Sequence, residues 1–209
     1  MKTVFRTMAI VFVLASVSAC TTYPGDRILQ LYDQSNAYDE GKIISTARVG
    51  VADILSSLTI SEDTKNSLGK IAPIAVIREI KPLDLAFADN QLVVAKGDAN
   101  ISFASNSIII VNGILNIAHS SNNIIVCGSD VDISHDGSMG EGSLVISKGK
   151  TTISHAGNTI IYAIKGTEIS HARNVKAFNT SERKTSWGHI NNILVKPLFE
   201  DEASPSKSP

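Results

Sequence analysis

Four of the chain's five histidines, His119, His135, His155 and His171, recur at intervals of 16, 20 and 16 residues. Imidazoles gathered by a fold can ligate zinc or copper through neutral ring nitrogens, so this set is the first candidate for chemistry. The second candidate is the run SDVDISHDGSMGEG, which carries Asp130, Asp132, Asp136 and Glu141 around His135. Carboxylate oxygens on a glycine-rich loop suit calcium. The run has neither the EF-hand spacing nor the nonapeptide calcium repeat, however, and solvated turn charges are the plainer reading. Cys127 reads as a small buried residue rather than a reactive thiol. No G-x-S-x-G elbow, H-E-x-x-H pair or phosphate-binding loop occurs.

What would position these residues is a repeat. Between residues 85 and 187 the sequence returns to the same pattern every 16 residues, with four extra residues at 138–141 in the fourth rung. A short fixed period means one unit stacked on copies of itself. Stacked as a parallel β-solenoid, the rungs align Leu85, Ile101, Ile117, Ile133, Ile153 and Ile169 in an aliphatic column. Two places on stand Phe87, Phe103, His119, His135, His155, His171 and Trp187. Strand alternation assigns this second column to the same face, as a partly buried stack of planar rings. Imidazolium charges at strand spacing would repel by about 3 kcal/mol at an effective dielectric of about 20, so the column predicts acid sensitivity.

In the second strand of each rung both faces are apolar: Leu92, Ile108, Ile124, Leu144 and Ile160 flank Val93, Ile109, Ile125, Val145 and Ile161. That requires burial on both sides or an exposed apolar face. Asn90, Asn106, Asn122, Asn158 and Asn174 mark one turn, where asparagine tolerates left-handed backbone and can bond its stacked copies. An antiparallel meander would set unlike repeat positions opposite one another and leave the homogeneous Ile and Asn columns without a cause. The expected fold is therefore mainly β, a single-stranded parallel β-solenoid of 16-residue rungs. Left-handed acyltransferase helices, with a hexapeptide repeat, and polysaccharide lyases, with larger rungs, do not match this period.

Outside the repeat, residues 42–72 carry helical periodicity from Ile43 to Leu58 and an N-cap signal at Ser61, and are expected to form an N-terminal helical cap. The solenoid proper is expected over 73–197, with an imperfect lead-in strand at 74–80. Residues 20–41 read as a tether with one short helix near Ile28, and the charged, Ser/Pro-rich 198–209 as a disordered tail.

Residues 1–19 have the form of an export signal, with Lys2 and Arg6 ahead of a short apolar core. The core runs into Val17, Ser18, Ala19 and Cys20, which resembles the lipobox of bacterial lipoproteins. The resemblance implies that Cys20 becomes the lipidated first residue, carrying acyl chains such as palmitate. Thr21, in place of Asp, implies the outer membrane rather than the inner one. Without Lys2 and Arg6 the 19 basic residues fall to 17 against 20 acidic ones, a net charge of −3, and no basic stripe points to nucleic acid. These readings lead to the expectation of a lipid-anchored envelope protein in a non-enzymatic surface-binding or scaffold role, facing a protein or glycan partner and able to self-associate through a solenoid edge. The alternatives are a metal- or glycan-binding module using the His column or the 130–141 loop and, behind it, a carbohydrate-active enzyme. No cofactor is expected outside the metal reading.

Overall fold

The computed structural model describes Asp26–Leu29, residues 39–137 and 141–179, and the short strands Lys184–Thr185 and Leu194–Lys196. Residues 1–19 (expected to be an export signal), Cys20, Trp187 and residues 198–209 lie outside the described residues. The chain winds as a parallel β-solenoid of about six turns, two strands to a turn. One sheet, A, stacks β1 (Ala75–Glu79), β3 (Gln91–Ala95), β5 (Ile108–Val111), β7 (Ile124–Cys127), β9 (Leu144–Ser147), β11 (Ile160–Ala163), β13 (Lys176–Asn179) and β15 (Leu194–Lys196). The other, B, stacks β2 (Leu83–Asp89), β4 (Ala99–Ser105), β6 (Leu115–Ser121), β8 (Val131–Asp136), β10 (Thr151–Gly157), β12 (Thr167–Arg173) and β14 (Lys184–Thr185). Every ladder is parallel and in the repeat's own register, Ile101 beside Ile117 and Ile109 beside Ile125. The antiparallel meander is excluded.

Between the sheets lies a narrow core. Sheet B contributes Ile101, Ile117, Ile133, Ile153 and Ile169; sheet A contributes Val93, Ile109, Ile125, Val145 and Ile161. Each fully buried aliphatic side chain is worth about 1.5–3 kcal/mol relative to exposure, so these columns are the main driving force for stacking. One turn is held by asparagines at positive φ, between 48° and 55° at Asn90, Asn106, Asn122, Asn158 and Asn174. Their amides bond between rungs, Asn122 to Asn106 and Asn174 to Asn158, both at 2.8 Å. The opposite turn is pinned by aspartates: Asp98 Oδ1 accepts from Ile114 N and Asp130 Oδ1 from Lys150 N, both at 2.8 Å. Gly149 sits so close to Asp130 that a Cβ there would collide with the carboxylate.

The doubly apolar strands of sheet A are buried on both sides. Their outward residues, Leu92, Ile108, Ile110, Ile124, Val126, Leu144 and Ile146, are covered by helices α1 (Asp26–Leu29), α2 (Glu40–Ser57) and α3 (Glu62–Gly69). Asp39 caps α2 by accepting from Lys42 N, and Ser61 caps α3 by accepting from Thr64 N. The buried stripe of α2 is Ala47, Val51, Ile54 and Leu55. The helical segment precedes the solenoid as expected; α2 meets the first strand, β1, and the layer continues along the outer face of sheet A, with α1 against β5 and β7. A continuous aliphatic face costs more to leave in water than the main-chain groups of one terminal rung, which water can satisfy.

Gly50 in the middle of α2 has a packing reason. Ile28 of α1 is 1% exposed and rests where a Gly50 Cβ would stand, close enough that an added methyl would overlap its Cγ1. Gly50→Ala should therefore destabilise the protein by about 1–3 kcal/mol through overpacking, although Ala is the better helix former by about 1 kcal/mol. Combining it with Ile28→Ala should cost less than the two single changes summed. Urea unfolding of the four proteins checks this, and strict additivity would mean that the two residues do not share the site.

Candidate functional site

Sheet B keeps its outer face free of the helices, and this face carries the histidines. Strand alternation breaks there. In β4 the order is Ile101 buried, Ser102 and Phe103 both exposed, Ala104 buried. The ladder passes over the Ser102 position in each of these rungs, pairing 101 with 117 and 103 with 119 and, further along, 153 with 169 and 155 with 171. Two successive side chains therefore point outward, and the ring column does not share the face of the aliphatic column as alternation implies. Phe87 is 66% and Phe103 47% exposed; His119, His155 and His171 are exposed and His135 half-buried.

The rings do stack. Centroids are 5.3 Å apart for Phe87–Phe103, 4.9 Å for Phe103–His119, 5.0 Å for His119–His135, 4.7 Å for His135–His155 and 4.6 Å for His155–His171. The last two pairs lie within 4° of parallel. This spacing is the strand spacing, imposed by the backbone and close to a favourable stacking distance. It also spreads equivalent nitrogens along a line. Two nitrogens on one tetrahedral zinc sit about 3.4 Å apart, closer than these parallel rings hold theirs. His135 Nδ1 is buried besides. Among the described residues no three His, Cys, Asp or Glu side chains converge as a metal set. Water around the exposed rings also screens the repulsion that a buried stack of imidazolium ions would suffer.

Alongside the ring ridge runs a second ridge, Asp84, Asn100, Asn116 and Asp132. Asn100 Nδ2 donates to Asp84 Oδ1 at 2.8 Å and Asn116 Nδ2 to Asn100 Oδ1 at 2.9 Å. Ala86, Ser102, Ala118 and Ser134 form the floor beside this ridge. The result is an open trough of ≈ 620 Å³ along the stacking axis. Its lining repeats over four rungs: a side-chain amide or carboxylate, then a small residue.

The four carboxylates of the 130–141 run are dispersed. Asp130 holds the far turn, Asp132 borders the trough, and Glu141 Oε2 accepts from Ser67 Oγ of α3 at 3.0 Å, tying the insertion to the helical layer. Asp136 is 0% exposed. Its Oδ1 accepts from Ser143 Oγ at 2.6 Å, and its Oδ2 from Ser143 N at 2.9 Å and Thr159 Oγ1 at 2.6 Å. Behind it Ser120, Asn123 and Ser107 continue a buried polar spine through three rungs. Rung four has Gly142 in place of the turn asparagine, and Asp136 staples the two ends of the insertion instead. Sequence columns carry the signal: Ala88, Ala104, Ser120, Asp136, Ala156 and Ala172 is a small inward column with one acid in it, beside Ser107, Asn123, Ser143 and Thr159. Cys127 is buried at the inner face of sheet A, and burial pushes its thiol up to about 11, leaving it protonated and inert.

The chain matches no family model, no curated protein and no solved structure.

Burial pushes the Asp136 carboxyl above its ordinary value of 3.8, against the hydrogen bonds from Ser143, Thr159 and Ser120 that pull it down. The stability from a carboxyl raised in this way is fully present below 3.8 and is lost as the pH rises through its folded-state value. Asp136→Asn should therefore gain on the parent as the pH climbs through that window, whereas Asp136→Ala, which strands the donors, should lose about 2–3 kcal/mol. Urea unfolding over a pH series tests both; an Asn variant that tracks the parent at every pH would mean that the carboxyl is not raised.

Proposed function

We propose that this chain is a lipid-anchored envelope protein with a non-enzymatic surface-binding or scaffold role, and that the outer face of sheet B is its contact surface. The observation that carries the reading is the trough: an ordered Asp/Asn ridge and a floor of small residues on the sheet face that the helices leave open. Such a face is rigid before binding, so little ordering cost is added on contact. Asp136, the acid most withdrawn from water, is committed to holding the insertion, and Asp130 to a turn. The anchor is the Cys20 of the lipobox-like Val17–Ser18–Ala19–Cys20 run, and the address it favours is the outer membrane.

Within that reading the trough favours a linear glycan as the occupant. Amide and carboxylate groups that recur once per rung, facing small residues, suit a polymer whose hydroxyls recur along its length. The first rung offers a second contact: β1 and β2 end their sheets, and Ile74, Ile80 and Phe87 are exposed beside them, which favours self-association there.

Two measurements test this. Labelling of cells with an alkyne palmitate analogue should mark the parent and not Cys20→Ala; label that persists in the variant removes the anchor. Purified murein should sediment the soluble Cys20→Ala protein, and adding Ala118→Trp, which fills the trough floor, should weaken that binding about tenfold or more without lowering the unfolding midpoint, the loss expected when a contact site is blocked. Binding unchanged by the tryptophan places the contact elsewhere.

A further inference from the structure

The connection between the anchor and the fold is much shorter than the sequence implies. Residues 20–41 read as a tether, but α1 is already part of the packed body: Ile28 is 1% exposed, fitted against Gly50 and over β5 and β7. Only residues 21–25 separate Cys20 from Asp26, and fully extended that stretch reaches at most about 20 Å. The body it is tied to has three layers. The two sheets lie about 10 Å apart and the helices form a further layer about 10 Å thick. From α1 to the outer side chains of sheet B is thus about 25 Å straight through, and longer around the edge.

We infer that the anchor fixes which side of the protein meets the bilayer: the helical layer is the membrane-facing surface, and the trough of sheet B is held away from the lipid, open to partners in the aqueous space. The inference rests on the proposed acylation of Cys20. It does not depend on what occupies the trough. Lipid attachment supplies the affinity, so the helical surface needs no strong charge of its own; its exposed side chains are mixed in sign, Lys42 and Arg48 with Asp53 and Glu62.

The test uses the full lipidated protein reconstituted in vesicles of phosphatidylethanolamine and phosphatidylglycerol that carry an acceptor dye on a headgroup. A donor dye is placed by Ala52→Cys on α2 or by Ser102→Cys in the trough, both exposed positions; buried Cys127, its thiol pushed up to about 11, stays unlabelled. Energy transfer from position 52 should exceed that from position 102 by about twofold or more, given a layer separation of about 20 Å. Inserting about ten Gly and Ser residues after Thr22, a flexible linker, should bring the two values together. Ile28→Asp, which evicts α1 from its site, should do the same. Equal transfer from the two positions at native length overturns the orientation. Failure of both labelled proteins to associate with vesicles overturns the anchor instead, and the orientation with it.

Discussion

Main-chain hydrogen bonds between parallel rungs impose one repeat distance of about 4.8 Å, and every side chain in the protein has to be compatible with its own copy at that distance. Planar groups meet the condition by stacking, which is why Phe87, Phe103 and the four histidines form one column in spite of their different chemistry. Side-chain amides meet it by donating to the amide of the neighbouring rung, as Asn122 does to Asn106 and Asn116 to Asn100. Branched aliphatic residues meet it by filling the pleat, and the Ile and Val columns follow. A charge repeated at that distance would repel its copies, and among the described residues the interior holds one acid, Asp136, with Ser120 and Ala156 above and below it.

The two sheets solve the burial problem differently. Sheet B needs one apolar face and breaks its alternation so that a ring and a small residue both point outward. Sheet A is apolar on both faces and recruits α1, α2 and α3 as a third layer. Such asymmetry leaves the molecule with one open β face and one covered one. The polar spine sits at the turn where the layers would otherwise splay around the inserted residues, and it closes the gap with hydroxyls, an amide and a carboxylate that satisfy one another. Ser67 and Glu141 then join that insertion to α3, so the helical layer and the insertion are held to each other.

The period of 16 was enough to place the rungs, the parallel ladders, the Ile column and the asparagine turn, because each is a property of one column repeated. The N-cap at Ser61 matched the local chemistry expected of a helix start for a similar reason: it depends on a few adjacent residues. Three things were not legible. The outward turn of the histidines arises from a local break in alternation that no composition rule marks, although the invariably small residue before each ring is its trace. The scattering of Asp130, Asp132, Asp136 and Glu141 follows from their falling on different sides of a rung, while in sequence they look like one cluster. The placement of the helices depends on a comparison between two surfaces, sheet face and rung end, and periodicity describes only one helix at a time. Gly50 illustrates the limit: read alone it weakens a helix, and only Ile28 explains it.

The helical layer also bears on how this protein can change over generations. Ordinary solenoids gain and lose units readily, since a duplicated rung brings its own core with it. Here a duplicated rung would add a pair such as Ile108 and Ile110 to the outside of sheet A, beyond the ground that α1 to α3 already cover. The new pair would meet water unless the helices lengthened at the same time. The number of rungs is thus tied to the length of a segment encoded elsewhere in the chain, and copy-number drift, the usual source of variety in repeat proteins, is closed to this one.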